Sequence, residues 1–289
     1  MRYRFLLLLA PLNAWSQKCI CGYANQDGLV SALAERSDTV ADVTTEINAD
    51  DTEKRSESAT VLVNGTRTGP HEYPFIAAVV YKSGPQRILC AGAIVDERHV
   101  LISAHCVNGL RASNLGVYVG STTFNTGEAK LRTVVALHTH PRWDPERIVY
   151  DIALLQLQDA LTIDRRETGL ICILGKPRDV NNQAVVAVAW DSASLVQAKF
   201  ETHDLASCVA RPTEGPQFCA YRKGMAACDR ASDGPLLLWK DRGSTRYFAF
   251  GVSSYGQSCK EFPEVVTDVT RLRPWIQSVL QASGGKICE

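Results

Sequence analysis

Three stretches of the chain carry side chains that could do chemistry together. The first is Ala227-Cys228-Asp229-Arg230-Ala231-Ser232-Asp233-Gly234-Pro235, which runs into the apolar Leu236-Leu237-Leu238-Trp239. A serine among small, turn-forming residues just ahead of a strand has its hydroxyl presented on a tight loop. Alone, such a serine more often satisfies nearby backbone groups. The second stretch, Val100-Leu101-Ile102-Ser103-Ala104-His105-Cys106, offers His105 as a base, with Cys90-Ala91-Gly92-Ala93 upstream. In the third, Asp151 opens the run Ile152-Ala153-Leu154-Leu155-Gln156-Leu157. A hydroxyl, an imidazole and a carboxylate are the parts of an activated nucleophile, in which the base takes the hydroxyl proton and the acid orients the base. Each has a bland alternative: a turn serine, a histidine beside a disulfide, an aspartate capping a strand.

Short strand-like runs must hold these stretches in place. They include residues 75–80, 99–103, 117–119, 131–137 and 184–190, and a hairpin of 236–239 with 247–252 around Asp241-Arg242-Gly243-Ser244. Many short strands separated by turn signals argue an all-β sandwich or barrel. One helix closes the chain: Pro274 suits its first turn, and Trp275, Ile276, Val279 and Leu280 share a face.

Residues 1–16 combine Arg2 and Arg4, a short apolar core and the small-x-small Ala14-Trp15-Ser16, the pattern of a secretory signal peptide. No other apolar run approaches membrane length, so a soluble, extracellular protein is expected, with no membrane partner. The formal net charge is zero, with 31 basic and 31 acidic side chains, which gives no hint of nucleic acid or anionic membrane. Ten cysteines in a secreted chain imply a disulfide framework. Residues 26–60 are acidic, lack aromatics and read as a solvated linker. The globular part starts at Val61-Leu62-Val63-Asn64-Gly65-Thr66, where Asn64 also heads a glycosylation sequon.

The blocks around His105, Asp151 and Ser232, in that order, resemble those of the trypsin- and chymotrypsin-like serine proteases from about residue 62 to 280. The cysteine-rich start and the Asn64-Gly65-Thr66 and Glu72-Tyr73-Pro74-Phe75 phrases are similar to secreted arthropod members from saliva, venom or haemolymph. The resemblance implies an all-β fold of two antiparallel Greek-key barrels, with the site in the cleft between them and a C-terminal helix. It divides the chain into signal peptide 1–16, cysteine-tethered acidic pro-segment 17–61 and protease domain 62–282. Within that domain the barrels take about 62–175 and 176–270, and the helix about 271–281. It makes Ser232 the nucleophile, His105 the base and Asp151 the orienting acid. It pairs Cys90 with Cys106, Cys208 with Cys219, Cys228 with Cys259, and Cys172 with Cys21 or Cys19, leaving the other for Cys288. Val185 and Leu238 fill the two places of a further family bridge. Metal at Cys19-Ile20-Cys21 lacks a second ligand pair of zinc-like spacing. His138-Thr139-His140 puts two histidines on one strand face, but the family commonly has a His-Pro at His140-Pro141 with no metal. No metal and no cofactor are expected.

The surroundings of this triad depart from the family. Arg230 stands where a glycine lets the backbone donate to the oxyanion together with Ser232, and Asp233 adds a carboxylate beside the nucleophile. In the family, cleavage before an Ile-Val-Gly-Gly-like start frees an ammonium that pairs with an aspartate. Here Val61 precedes that start, the nearest basic site is Lys54-Arg55, and Ala231 replaces the aspartate. By position Ala226 lies at the floor of the specificity pocket, and Ser254, Tyr255 and Gly256 form a wall. Glu264 replaces a wall glycine, to block the pocket or to accept a basic side chain. The expectation is a monomeric serine protease homologue that holds a protein or peptide in its cleft with weak or absent proteolysis. The alternative is an active serine endopeptidase, working through an acyl-enzyme, with unusual specificity.

Overall fold

A computed structural model describes residues 19–25, 62–84, 87–124, 130–191, 193–209, 214–224, 226–227, 234–241, 243–255 and 263–289. The expected signal peptide, most of the pro-segment, the loop carrying Ser232, the Cys228–Cys259 pair and Gly256 lie outside these residues.

Strands β1 (Leu62–Val63) and β2 (Thr66–Arg67) precede the first barrel. That barrel comprises β3 (Ile76–Tyr81), β4 (Arg87–Asp96), β5 (His99–Ile102), β6 (Leu115–Val119), β7 (Lys130–Thr139) and β8 (Ala153–Leu157). It closes in the order β3-β4-β5-β8-β7-β6, every pair antiparallel. The second barrel contains β9 (Ala184–Asp191), β10 (Ser194–Asp204) and β11 (Gln217–Tyr221), then, after the short β12 (Ala226–Ala227), β13 (Leu236–Lys240), β14 (Tyr247–Tyr255) and β15 (Glu264–Asp268). Its order is β9-β10-β11-β15-β14-β13, closed by pairing of β13 with β9. In each barrel the third strand pairs with the sixth rather than with the fourth. This is the Greek-key exchange.

Several of these strands are apolar at nearly every position because both of their faces are covered. In β3, Ala77 and Val79 point into the first barrel among Ile94, Val100, Ile102 and Leu155. The alternate residues Ile76, Ala78 and Val80 join a cluster with Leu101 and Leu154 that continues into Trp190, Leu236 and Leu238 of the second barrel. The Trp190 indole N–H crosses that interface to the carbonyl of Ala77, at 3.1 Å. A third cluster, with Phe218, Phe250 and Trp239, fills the second barrel.

Two boundaries differ from the sequence reading. Residues 62–67 do not belong to the first barrel: β1 pairs with β12, and β2 pairs with β10. The reason is burial, since Leu62 packs into the second barrel's core at 2% exposure. The closing helix α1 spans Val269–Ala282, so Pro274 is its sixth residue and not in its first turn. Asp268 starts the helix earlier than proline would, accepting the N–H groups of Thr270 and Arg271. Pro274 has no N–H for the carbonyl four residues back, a loss the buried face of Leu272, Ile276 and Leu280 must offset. At the helix end Ser283 Oγ lies 2.9 Å from Nε2 of the fully buried His99, whose Nδ1 meets Asp96 at 2.8 Å.

Four disulfides join described cysteines: Cys19–Cys288, Cys21–Cys172, Cys90–Cys106 and Cys208–Cys219. Cys21, not Cys19, thus meets Cys172. Val185 and Leu238 lie on adjacent strands one register step apart, where Val185 faces Trp239 and Leu238 faces Val186.

Candidate active site

His105 leaves the end of β5 on a single helical turn, residues 105–107, that the Cys90–Cys106 disulfide ties to β4. Asp151 stands two residues before β8, after a backbone in which Ile148 and Tyr150 both take positive φ, 52° and 54°. Bulky side chains resist that region, and a β-branched residue most of all, so surrounding contacts must impose it. Tyr150 is clamped between the His140 ring, stacked at 4.8 Å, and the Arg142 guanidinium, 4.2 Å from its centroid.

The two site residues meet across 46 positions of sequence. His105 donates its backbone N–H to Asp151 Oδ1 at 2.8 Å and its Nδ1–H to Oδ2 at 2.7 Å. A third donor is the Ser254 hydroxyl, 2.9 Å from Oδ2. Asp151 is fully buried, and a buried carboxylate needs its oxygens hydrogen-bonded, which these three donors achieve. The bond to Nδ1 fixes the tautomer and leaves Nε2 as the ring's basic nitrogen, on a side chain one-third exposed. That is the geometry of an oriented general base.

Sequence reading placed Ser254 in a pocket wall and missed its bond to the acid. The cause is a bulge between β14 and β15: Ser253 faces Val266 and Tyr255 faces Val265, so Ser254 has no partner across the ladder and turns toward Asp151. The available signal was Ser253-Ser254, two adjacent serines in a strand where one would suffice for alternation. Ser103 ties the same strand to the first barrel by donating to the Ser253 carbonyl at 2.5 Å.

The remaining candidates divide. Gly234, two residues after Ser232, bridges to Cys90, and a side chain there would begin 3.6 Å from His105 Cε1. The edge of the serine loop therefore abuts the imidazole. Ala226 faces Val63 in the β1–β12 pair. Glu264 is buried, faces Ala220 across β11–β15, and accepts a hydrogen bond from the Ser253 hydroxyl. Tyr255 is half-buried, and burial raises its phenol. Asn64 is exposed, its side chain donating to the Gly224 carbonyl at 2.7 Å.

His138 and His140 do not act as a pair. His138 reaches Gln156, whereas His140 is buried, accepts the Arg142 N–H at Nδ1 and meets Trp275 edge-on. Among the described residues, Cys90, His105 and Cys106 cluster like metal ligands, but both sulfurs are spent in their disulfide. Burial, and then the Arg142 charge, hold the His140 pKa below its ordinary 6.5. The unfolded chain therefore takes up this proton first as pH falls, and the folded state loses stability below about pH 6.5. Replacing His140→Gln keeps an acceptor for Arg142 and removes the titration. The wild-type midpoint of thermal unfolding, scanned from pH 7.5 to 5, should drop more steeply than the variant's.

The family model described as Trypsin matches residues 62–276. The chain belongs to the trypsin family. Within it, the chain is 26% identical over 239 residues to venom serine protease 34 of Apis mellifera, covering 75% of this chain and 58% of that protein. It is 28% identical to trypsin alpha-4 of Lucilia cuprina, over 75% of this chain and 86% of that one, and 30% identical to hypodermin-B of Hypoderma lineatum, over 65% and 76%. The trypsin fold places a peptide-binding cleft between the barrels, where His105 and Asp151 meet. Among the described residues, no helix is long and apolar enough to cross a membrane.

Proposed function

We propose that the protein is a secreted, monomeric serine protease homologue that binds a protein or peptide in its inter-barrel cleft and turns it over weakly or not at all. Ser232, His105 and Asp151 form its triad. The proposal rests above all on Arg230 and Ala231, where family members carry the oxyanion glycine and the aspartate of the activation switch. Losing one oxyanion donor typically slows turnover by about 100- to 1,000-fold. Asp233 adds a negative charge where another must develop.

Two structural features agree. In the uncut chain Leu62 is already buried and paired with Ala227, which is consistent with a domain that orders its start without a freed ammonium. Glu264 has the Ser253 hydroxyl on one carboxylate oxygen, which favours a filled pocket over one awaiting a basic side chain. A working endopeptidase is the second reading, favoured by the hydrogen-bonded row Ser254–Asp151–His105.

A fluorophosphonate probe separates the two. The purified protein should label no faster than its Ser232→Ala variant and should hydrolyse a panel of peptide esters at the same background rate. Stoichiometric labelling at Ser232 would establish a working nucleophile and end the homologue reading.

A further inference from the structure

The outer surface of the second barrel carries a groove of roughly 1000 Å3 whose lining includes none of the triad candidates. Val186 and Tyr247, both half-buried, contribute an apolar floor, with the buried Leu238 beneath it. Lys199, Arg222, Lys223 and Lys240 stand around it, all exposed, against two acids, Glu201 and Asp241. Among the described residues none of these four cations forms an ion pair, and Lys240 lies over the Tyr247 ring at 5.4 Å. An apolar floor with an unpaired basic rim fits an acidic strip of polypeptide with some apolar side chains.

The chain contains such a strip, tethered on both sides of the groove. Residues 26–61 hold nine acidic side chains against three basic ones. Within them, residues 38–53 hold six acids and no cation, and Val43 and Ile47 are set between Asp42, Glu46 and Asp50. The neutral total therefore conceals a segregation of charge, and residues 62–289 carry three excess positive charges.

Both flanks of this segment are fixed beside the groove. On one side Gly22 accepts the N–H of Tyr247, a floor residue, at 2.6 Å, and Tyr23 bridges to Arg246. A side chain at Gly22 would begin 2.2 Å from the Tyr247 carbonyl oxygen, so only glycine allows this seat. Asn25 then bonds to Glu72, whose carboxylate accepts from Gln197, two residues from Lys199 on the same strand face. On the other side β1 pairs with β12, and Asn64 bonds to Gly224, the neighbour of Lys223. The 36 residues between can span about 3.3–3.6 Å each when extended, so reach is ample, and tethering makes the encounter intramolecular at an effective concentration on the order of millimolar.

We propose that the acidic stretch 38–53 docks in this groove, its carboxylates on Lys199, Arg222, Lys223 and Lys240 and its small apolar side chains on the floor. The occupant is the chain's own segment rather than a separate polyanion.

The test uses the full chain and a fluorescent peptide of residues 38–53 at low salt. Replacing the six acids of that stretch by their amides should vacate the groove, so the peptide should bind the amide variant at least ten-fold more tightly than the wild type. Adding Lys199→Glu and Lys240→Glu should abolish that gain. Carbodiimide cross-linking of the wild type should join residues 38–53 to Lys199, Lys223 or Lys240, and the yield should collapse in 0.5 M salt, a regime of short screening length. Equal peptide binding by wild type and amide variant, or cross-links falling elsewhere, would overturn the proposal. A sulfated oligosaccharide that binds the wild type as tightly as the amide variant would do so too, since the groove would then be open to an external polyanion.

Discussion

Rebuilding the serine loop will restore fast ester hydrolysis only when the start of the domain is rebuilt and cut as well. The variant combining Arg230→Gly, Ala231→Asp, Asp233→Gly and Val61→Arg, cleaved after position 61, should exceed the wild type by about 100-fold or more, the scale of a regained oxyanion donor. The triple variant without the change at position 61 should stay near the wild type. Its new aspartate would lack the freed ammonium with which the family pairs it, and breaking a buried pair of that kind by removing one partner destabilises by about 3–5 kcal/mol. The pairing of Leu62 with Ala227, four residues before position 231, makes the fourth change effective, because a freed amino group at Leu62 would start beside the loop that must receive it. Hydrolysis of a peptide-ester panel by the three proteins is the measurement. A wild type as fast as the cleaved quadruple variant shows that the departures are harmless. A silent quadruple variant moves attention to Glu264.

Phe218→Ala should be the most damaging truncation in the second barrel. Phe218 is fully buried, lies 5.4 Å from Phe250 and packs so closely on Gly251 that a methyl group there would meet its ring edge at 2.9 Å. Emptying such a site costs about 3–5 kcal/mol from a total stability of about 5–15 kcal/mol. For a domain of this length that is a fall of about 6–20 °C in Tm, read by calorimetry. Leu131→Ala, at a side chain 40% exposed, is the control and should change stability by less than about 0.5 kcal/mol. Equal effects at the two positions would mean that the Phe218 cluster does not hold the barrel.

His105 and Asp151 were legible in the sequence because each sits in an apolar block whose type and order are specific. Other parts were hidden for physical reasons. The bond from Ser254 to Asp151 depends on a register shift in β14, and no local pattern announces which residue of a strand will bulge. The partner of Glu264 is Ser253 on the neighbouring strand, a contact set by pairing and not by spacing. Cys19 and Cys21 are separated only by Ile20, so counting could not decide which reaches Cys172. Pro274 misled because an aspartate cap at Asp268 outweighed the preference of proline for a first turn. The basic groove collects Lys199, Arg222 and Lys240 from three separate strands or their ends, and only the barrel brings them to one face.

The Cys19–Cys288 bridge gives the molecule a covalent outline that its linear numbering conceals. With the two cysteines 269 positions apart, nearly the whole chain forms a ring, and Cys21–Cys172 draws a chord across it. Cutting a ring once opens it but does not divide it. A protease that cleaves at Lys54-Arg55, or anywhere between Asn25 and Leu62, therefore releases no fragment: both products stay held by two disulfides. Such a cut would leave the mass of the unreduced molecule unchanged but for one added water, and two bands would appear only after reduction. Proteolytic processing of this protein would be a change of topology without loss of material.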